Sequence, residues 1–168
     1  MKKIHLIILL ISFLGFIACK NEDIDASEST TDTEDYLIFG SGSFAWSCSA
    51  TFYKISDGKL YADTSNAICK REVGKYYFFQ LPDSEYIKVN NILNSFPTQL
   101  SRELGQDFPC EKCRDTGWFT LQRKEKGKKM KIWSGDAIFL VENPNTLPKY
   151  LSDYLQSIVK VVPKIKLK

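Results

Sequence analysis

The chain has 168 residues, enough for one domain with a hydrophobic core, and a formal net charge of +3, which by itself excludes no class of protein. Its only histidine, His5, lies in the first apolar run. If that run is removed, the mature protein has no imidazole, which excludes Ser-His-Asp and Cys-His catalytic sites and histidine-ligated zinc or iron. Carboxylate pairs, Lys or Tyr bases and cysteine chemistry remain, but no motif assigns a catalytic residue, a cofactor or a metal.

The amino terminus has the pattern of a signal peptide. Met1-Lys2-Lys3 is positively charged, and residues 4–18 are almost wholly apolar. A run of this length is short for a helix that spans about 30 Å of hydrocarbon, and it is typical of the apolar segment of a signal peptide. We therefore expect residues 1–18 to be absent from the mature protein.

The apolar run ends in Phe16-Ile17-Ala18-Cys19, which resembles the lipobox of bacterial lipoproteins. The resemblance implies that Cys19 becomes the first residue and carries a diacylglyceryl thioether and an acylated amine. Because two acyl chains anchor a protein stably, the protein is expected in the cell envelope, with the membrane as a partner through Cys19. The alternatives are an ordinary secretory signal with a chance cysteine and an uncleaved anchor.

Residues 19–35 comprise the lipidated cysteine and an acidic tether. Residues 20–35 contain seven acidic residues, one lysine and no aromatic residue, so they cannot bury enough apolar surface to fold. Lys20, Glu22 and Asp23 make this segment similar to the tether of surface lipoproteins in Bacteroidota. The similarity implies an outer-membrane protein displayed on the surface, and a plain spacer on the periplasmic side is the alternative.

Residues 36–168 are expected to form a single domain, which has twenty basic and thirteen acidic residues. Basic residues cluster between Arg123 and Lys131 and again between Lys164 and Lys168. Such clusters favour an acidic partner, such as a polysaccharide or anionic lipid head groups, or else they are a solvated turn and a frayed tail. Nucleic acid is not expected as a partner, because the domain lies outside the cytoplasm.

Apolar periodicity and turn residues predict an α+β fold, in which an antiparallel sheet built from hairpins carries two main helices on one face. The first hairpin turns at Asp57-Gly58, which readily forms a two-residue type I′ turn and sets Ile55 opposite Leu60 and Tyr53 opposite Ala62. Gly40-Ser41-Gly42 predicts a turn. The other predicted elements are strands at 75–81 and 136–142, a helix at 83–96 capped by Asp83 or Ser84, a short helical piece at 98–104, a second hairpin at 118–124 and 128–133 around Lys126-Gly127, and a helix at 147–159 capped by Thr146.

The second hairpin contains the candidate partner-binding residues. A two-residue turn predicts that Leu121 and Ile132 share one face. Trp118 and Trp133 then lie on the other face beside Lys131, where their rings could stack on a sugar or contact a protein partner. Core packing under a covering segment is the alternative for both tryptophans.

Four cysteines follow Cys19, an even number in an exported protein, which favours disulfides. When the register of the first hairpin is extended, Cys48 and Cys69 fall on the same face, one diagonal step apart. This geometry predicts a Cys48–Cys69 bridge. Cys110 and Cys113 then remain as the second pair.

The second pair, Cys110 and Cys113, has the spacing of a thiol–disulfide exchange motif. Pro109 precedes it, however, and it leads into a strand rather than opening a helix. A zinc knuckle is faintly similar, but a four-thiolate site would also need Cys48 and Cys69, which lack knuckle spacing. The context favours a local disulfide staple, and no metal is expected.

These observations predict a lipid-anchored exported protein whose domain is a non-enzymatic binding module for a protein or an acidic polysaccharide. One alternative is an exported thiol–disulfide redox protein that uses Cys110 and Cys113. Another is an inhibitor- or immunity-like module for an exported enzyme, which would share the same architecture.

Overall fold

The computed structural model describes residues 33–43, 48–66, 69, 75–108, 117–137 and 146–162. Thr31–Lys168 forms one compact unit. Its described part combines a seven-stranded, mostly antiparallel sheet with three helices, so the predicted α+β class is confirmed. None of the described helices is long and apolar enough to cross a membrane. The predicted signal peptide, Cys19, Cys110 and Cys113 lie outside the described residues.

The sheet has the strand order β4-β3-β2-β1-β6-β7-β5. All neighbouring strands are antiparallel except β5 and β7, which are parallel. The strands are β1 (Tyr36–Ser43), β2 (Ser49–Ser56), β3 (Lys59–Asp63), β4 (Phe79–Gln80), β5 (Asp107–Phe108), β6 (Trp118–Lys124) and β7 (Lys131–Asp136). The helices are α1 (Asp83–Asn94), α2 (Thr98–Arg102) and α3 (Lys149–Val161).

The central strand of the sheet is β1, which contains the Gly40-Ser41-Gly42 segment predicted as a turn. That prediction is wrong, because β1 pairs along its length with β2 on one side and with β6 on the other. Leu37 and Phe39 point to one face of the sheet, whereas Tyr36 and Ile38 point to the other. The strand therefore joins the two hairpins and contributes to both faces.

Two aromatic rings lie on the bare backbone of β1. Phe52 is paired with Gly40 and Trp118 with Gly42, and the two rings stack with centroids 5.5 Å apart. A methyl group at Gly40 would lie 2.4 Å from the carbonyl oxygen of Thr51 and 2.6 Å from the Phe52 ring. At Gly42 it would lie 2.5 Å from the Trp118 ring. The glycines are thus required by the close approach of the rings rather than by a turn.

The first hairpin agrees with its prediction. Asp57 and Gly58 have φ angles of 50° and 69°, as a type I′ turn requires, and Ile55 pairs with Leu60. The predicted disulfide between Cys48 and Cys69 is present, with the Cα atoms 5.5 Å apart. The bridge is consistent with the register of this hairpin when it is extended beyond β2 and β3.

The second hairpin differs from its prediction by one residue. Arg123 pairs with Lys131 and Leu121 with Trp133, so seven residues, an odd number, lie between the paired residues Arg123 and Lys131. The Lys128 amide donates a hydrogen bond to the Glu125 carbonyl, and Gly127 has a φ of 69°. This turn is one residue longer than the predicted one, and a slip of one residue moves each β7 side chain to the opposite face.

Each face of the sheet has its own apolar cluster. The main core contains Leu37, Phe39 and Trp133 from the sheet, and α1 and α3 both cover it, so the two main helices lie on one face as predicted. The second core contains Tyr36, Ile38, Ala50 and Phe52 and is covered by the partly buried side chains of Cys69, Tyr76, Phe78 and Trp118. An aromatic segment tied down by the disulfide therefore takes the place of a helix on this face.

Several predicted boundaries and caps are corrected. Only Phe79–Gln80 of the predicted strand at 75–81 pairs as a strand, because Tyr76 and Phe78 pack on the second core instead. Pro82 and Pro148 occupy the N-cap positions of α1 and α3, and neither cap has a side-chain hydrogen bond, so the predicted caps Asp83 or Ser84 and Thr146 are wrong. Strand β7 ends at Asp136, and residues 138–142 lie outside the described part.

The hydroxyl of Tyr154 joins the two main helices. It donates a hydrogen bond of 2.8 Å from α3 to the carbonyl oxygen of Ile92 at the end of α1. Burial raises the pKa of Tyr154 far above its ordinary value, and burial also raises the pKa of Tyr53. The folded protein thus keeps protons that the unfolded chain releases above about pH 10, so its stability should fall as the pH rises beyond that value.

We expect Gly40→Ala to lower the free energy of unfolding by at least about 2 kcal/mol, because the added methyl group meets backbone and ring atoms that cannot both move. The matched control is Ser41→Ala at the exposed neighbouring position, with an expected change below about 0.5 kcal/mol. Urea denaturation measures both variants. If both variants lost the same free energy of unfolding, the requirement for a glycine at position 40 would be contradicted.

Tyr154→Phe should lower the free energy of unfolding by about 1 kcal/mol at neutral pH, because the Ile92 carbonyl loses its donor from α3 and keeps only the more distant Ser95 hydroxyl. It should also flatten the decline of stability between about pH 10 and pH 11.5, since the variant no longer titrates at this position. Ser157→Ala is the control, because it removes a hydrogen bond of α3 but no titrating group. Denaturation at a series of pH values distinguishes the two, and identical pH profiles for Tyr154→Phe and the wild type would refute the expectation.

Candidate binding surface

The predicted partner-binding residues Trp118, Trp133 and Lys131 do not form one surface. Trp133 is only 1% exposed and packs in the main core near Phe96, with ring centroids 5.9 Å apart. Trp118 is half-buried in the second core, on the opposite face of the sheet. Lys131 donates a hydrogen bond from Nζ to the carbonyl oxygen of Ser101. The structure therefore does not bring the three residues together, because the longer turn places Trp133 on the helix-covered face.

The exposed aromatic rings lie at the other edge of the sheet. Tyr77 and Phe79 are 56% and 41% exposed and are two residues apart in the segment that leads into β4. The Tyr77 amide donates a hydrogen bond of 2.9 Å to the buried carboxylate of Asp63, which also accepts one from the Ser65 amide. The sequence signal that could have identified these exposed rings is the alternation within Tyr76-Tyr77-Phe78-Phe79. Tyr76 and Phe78 pack on the second core, so the two residues that alternate with them face outward.

The turn between β6 and β7 concentrates positive charge. Residues 123–131 contain six basic residues and one acidic residue. Lys124 is buried, with its Nζ donating to the carbonyl oxygen of Lys128 at 2.5 Å, and Arg123 forms an ion pair with Asp35. Lys128 forms an ion pair with Glu125, and its hydrogen bond to this carboxylate holds the pKa of Glu125 below the ordinary value. The buried contacts of Arg123 and Lys124 fix the base of the turn, whose tip is exposed.

Exposed apolar side chains adjoin this positive charge. Met130 and Ile132 are 44% and 41% exposed, and Leu104 is 87% exposed. The backbone of Gly105 lies against that of Ile132, where an added methyl group would come within 2.1 Å of the Ile132 carbonyl oxygen, so Leu104 lies next to β7. We call this combined feature the hairpin surface, which comprises Leu104, Lys126, Lys128, Lys129, Met130 and Ile132.

The predicted tether enters the domain at the same end of the sheet. Tyr36, the first residue of β1, pairs with Lys124 at the base of the basic turn and with Ser56 at the base of the first turn. Just before it, Asp35 contacts Arg123, and Glu34 forms an ion pair of 3.3 Å with Lys54. The hairpin surface is therefore close to the point where the chain arrives from its amino-terminal segment.

The shifted titratable groups have structural causes. A hydrogen bond to Glu103 raises the pKa of Tyr150, and the shifts of Tyr53 and Tyr154 follow mainly from burial. Among the residues that the structure describes, no group of three or more His, Cys, Asp or Glu side chains is arranged to hold a metal ion.

No protein-family model and no curated protein matches the chain. Function is therefore inferred from the described residues and the sequence motifs. Of these, the basic cluster was recognisable from the sequence, whereas its apolar neighbours required the observed register of β7.

Proposed function

We propose that this chain is a lipid-anchored protein of the bacterial cell envelope whose domain binds a protein partner with an acidic surface. The binding site is the hairpin surface. The observation that carries the proposal is that exposed Met130 and Ile132 continue directly from the lysines of the turn, with the backbone of Gly105, which follows exposed Leu104, lying beside Ile132. The function is binding rather than catalysis.

The composition of the hairpin surface fits a protein interface. Protein interfaces combine an apolar centre with a polar rim, and methionine is enriched in them whereas lysine is found mainly at the rim. The net charge of +5 over residues 123–131 would accelerate encounter with an acidic surface and disfavour basic partners. Affinity would come chiefly from the apolar side chains and specificity from the lysines.

A protein fits this surface better than an acidic polysaccharide does. Recognition of sugars commonly uses exposed aromatic rings, and the tryptophans expected to supply them, Trp118 and Trp133, contribute to the two cores instead. The exposed rings of Tyr77 and Phe79 lie near β4, at the opposite edge of the sheet from β7. An inhibitor-like module for an exported enzyme is one case of the proposed function.

The envelope location rests on the lipobox and is supported by the Cys48–Cys69 disulfide. Structural disulfides persist in oxidising compartments and are rare in the cytosol. The sixteen tether residues 20–35 reach at most roughly 55 Å when extended, so the domain would work close to its membrane. The redox alternative depends on Cys110 and Cys113, and two inert bridges in a thiol titration of the purified protein would exclude it.

A photoreactive residue at Leu104 should cross-link in cells to one protein with an acidic surface, because this side chain is at the hairpin surface. The same residue at Ile87 is the positional control, since Ile87 is 67% exposed but lies on α1, which packs near β3. Lys126→Glu with Lys129→Glu should reduce the cross-linking yield at position 104 about tenfold or more.

The charge control for this experiment is Lys59→Glu with Lys160→Glu, an equal change of charge at two exposed positions outside the hairpin surface. It should leave the yield unchanged. Equal yields at positions 104 and 87 would overturn the proposed surface. A yield that is insensitive to charge reversal at Lys126 and Lys129 would overturn the acidic character of the partner.

Cys19→Ser should abolish the incorporation of acyl chains into the protein, because the thioether cannot form without the cysteine thiol. Ser12→Ala, a change in the same apolar run that keeps the cysteine, should leave acylation and the membrane location unchanged. Mass spectrometry of the amino-terminal peptide should find the acyl chains in the wild type. If the wild-type protein keeps residues 1–18 and carries no acyl chain on Cys19, the apolar run is an uncleaved anchor instead.

A further inference from the structure

A pocket of about 200 Å³ lies between the carboxyl-terminal half of α3 and the main-core face of the sheet. Its floor is buried, since Phe39 and Phe119 are each 1% exposed, whereas Val159 on the helix side is 39% exposed and marks the mouth. No charged side chain lines it within the described residues. The principal lining residues are Phe39, Tyr53, Phe119, Leu155, Ile158 and Val159.

Small side chains on both sides produce this pocket. Along β1 the side chains on the helix-covered side are Leu37, Phe39 and then the exposed Ser41, so a hydroxymethyl group at the pocket follows two large apolar side chains. On the helix side, Val159 and Val162 are shorter than the leucines and tyrosines of the first turns of α3. The main core therefore opens toward the Ser41 end of β1.

We propose that this pocket is a binding site for a compact apolar group about the size of one aromatic ring. An apolar cavity of roughly 150 Å³ is known to accept benzene or xenon and to remain dry when empty, so a pocket of this volume and lining matches such a ligand. Charged molecules are disfavoured because the lining offers no described counter-charge. The site lies on the helix-covered face and is independent of the proposed partner binding.

Indole is a suitable probe, because it is a compact, soluble aromatic molecule. With the purified full-length protein, we expect saturable binding by calorimetry and a rise in melting temperature of a few degrees at saturating indole. Val159→Phe places a ring at the mouth and should weaken binding about tenfold or more. Lys160→Phe adds the same ring at the adjacent exposed position and should leave the affinity within about twofold of the wild type.

Methyl chemical shifts provide a second readout that does not depend on either variant. Indole should shift the methyl signals of Leu155, Ile158 and Val159 and leave those of Leu60 unchanged. Absence of saturable binding to the wild type, or equal binding by Val159→Phe, would overturn the site. If indole binds only after residues 163–168 are deleted, the carboxyl-terminal tail is the occupant and the proposal for a separate ligand is wrong.

Discussion

The stacking of Phe52 and Trp118 on the bare backbone of β1 is the contact on which the arrangement of the sheet depends. Strand β1 is the only connection between the pair β2–β3 and the pair β6–β7 in the described sheet, and a lone hairpin is only marginally stable in water. Glycine weakens a strand by roughly 0.5–1 kcal/mol relative to alanine, but here Gly40 and Gly42 allow two large rings to bury against the strand. The same packing supplies the centre of the second core.

The second core shows how a sheet can be covered without a helix. An aromatic segment lies across it, with Tyr76 stacked on Phe78 and in edge contact with Phe52, and Gln122 donates a hydrogen bond of 2.7 Å to the Tyr76 hydroxyl. The disulfide at Cys69 holds the beginning of this region to the end of the sheet near β2. The outer strands β4 and β5 have only two residues each, which leaves little free edge for pairing with another chain.

Local chemistry made some of this fold predictable. Asp57-Gly58 favours one turn type, and that turn sets the register of β2 against β3. Extending this register along the sequence predicted the Cys48–Cys69 bridge, which is present. In contrast, Lys126-Gly127 is compatible with turns of two or three residues, and the choice between them reversed the faces of β7. Gly40-Ser41-Gly42 was misread because its strand character comes from pairing with β2 and β6 and not from the strand propensity of its own residues.

The candidate site, like the fold, was only partly predictable from the sequence. The positive charge of residues 123–131 is a property of composition and was recognisable at once. The exposure of Met130 and Ile132 depends on the register of β7, and the position of Leu104 depends on the passage of Gly105 beside it. Neither of these is a local property, so the sequence pattern selected Trp133 and Lys131 of β7 and not the exposed Met130 and Ile132.

The entry of the chain at Tyr36 has a mechanical consequence. If the domain is anchored through its amino terminus and holds a partner at the hairpin surface, tension enters through the first residue of β1 and leaves through the turn that follows β6. These two points adjoin each other, because Tyr36 pairs with Lys124. The load would therefore separate β1 from β6 one hydrogen-bonded pair at a time, as in peeling, rather than shear the whole strand at once. The ion pair of Glu34 with Lys54, and then the contacts of Asp35 and Tyr36 with Arg123, are the first to resist this load.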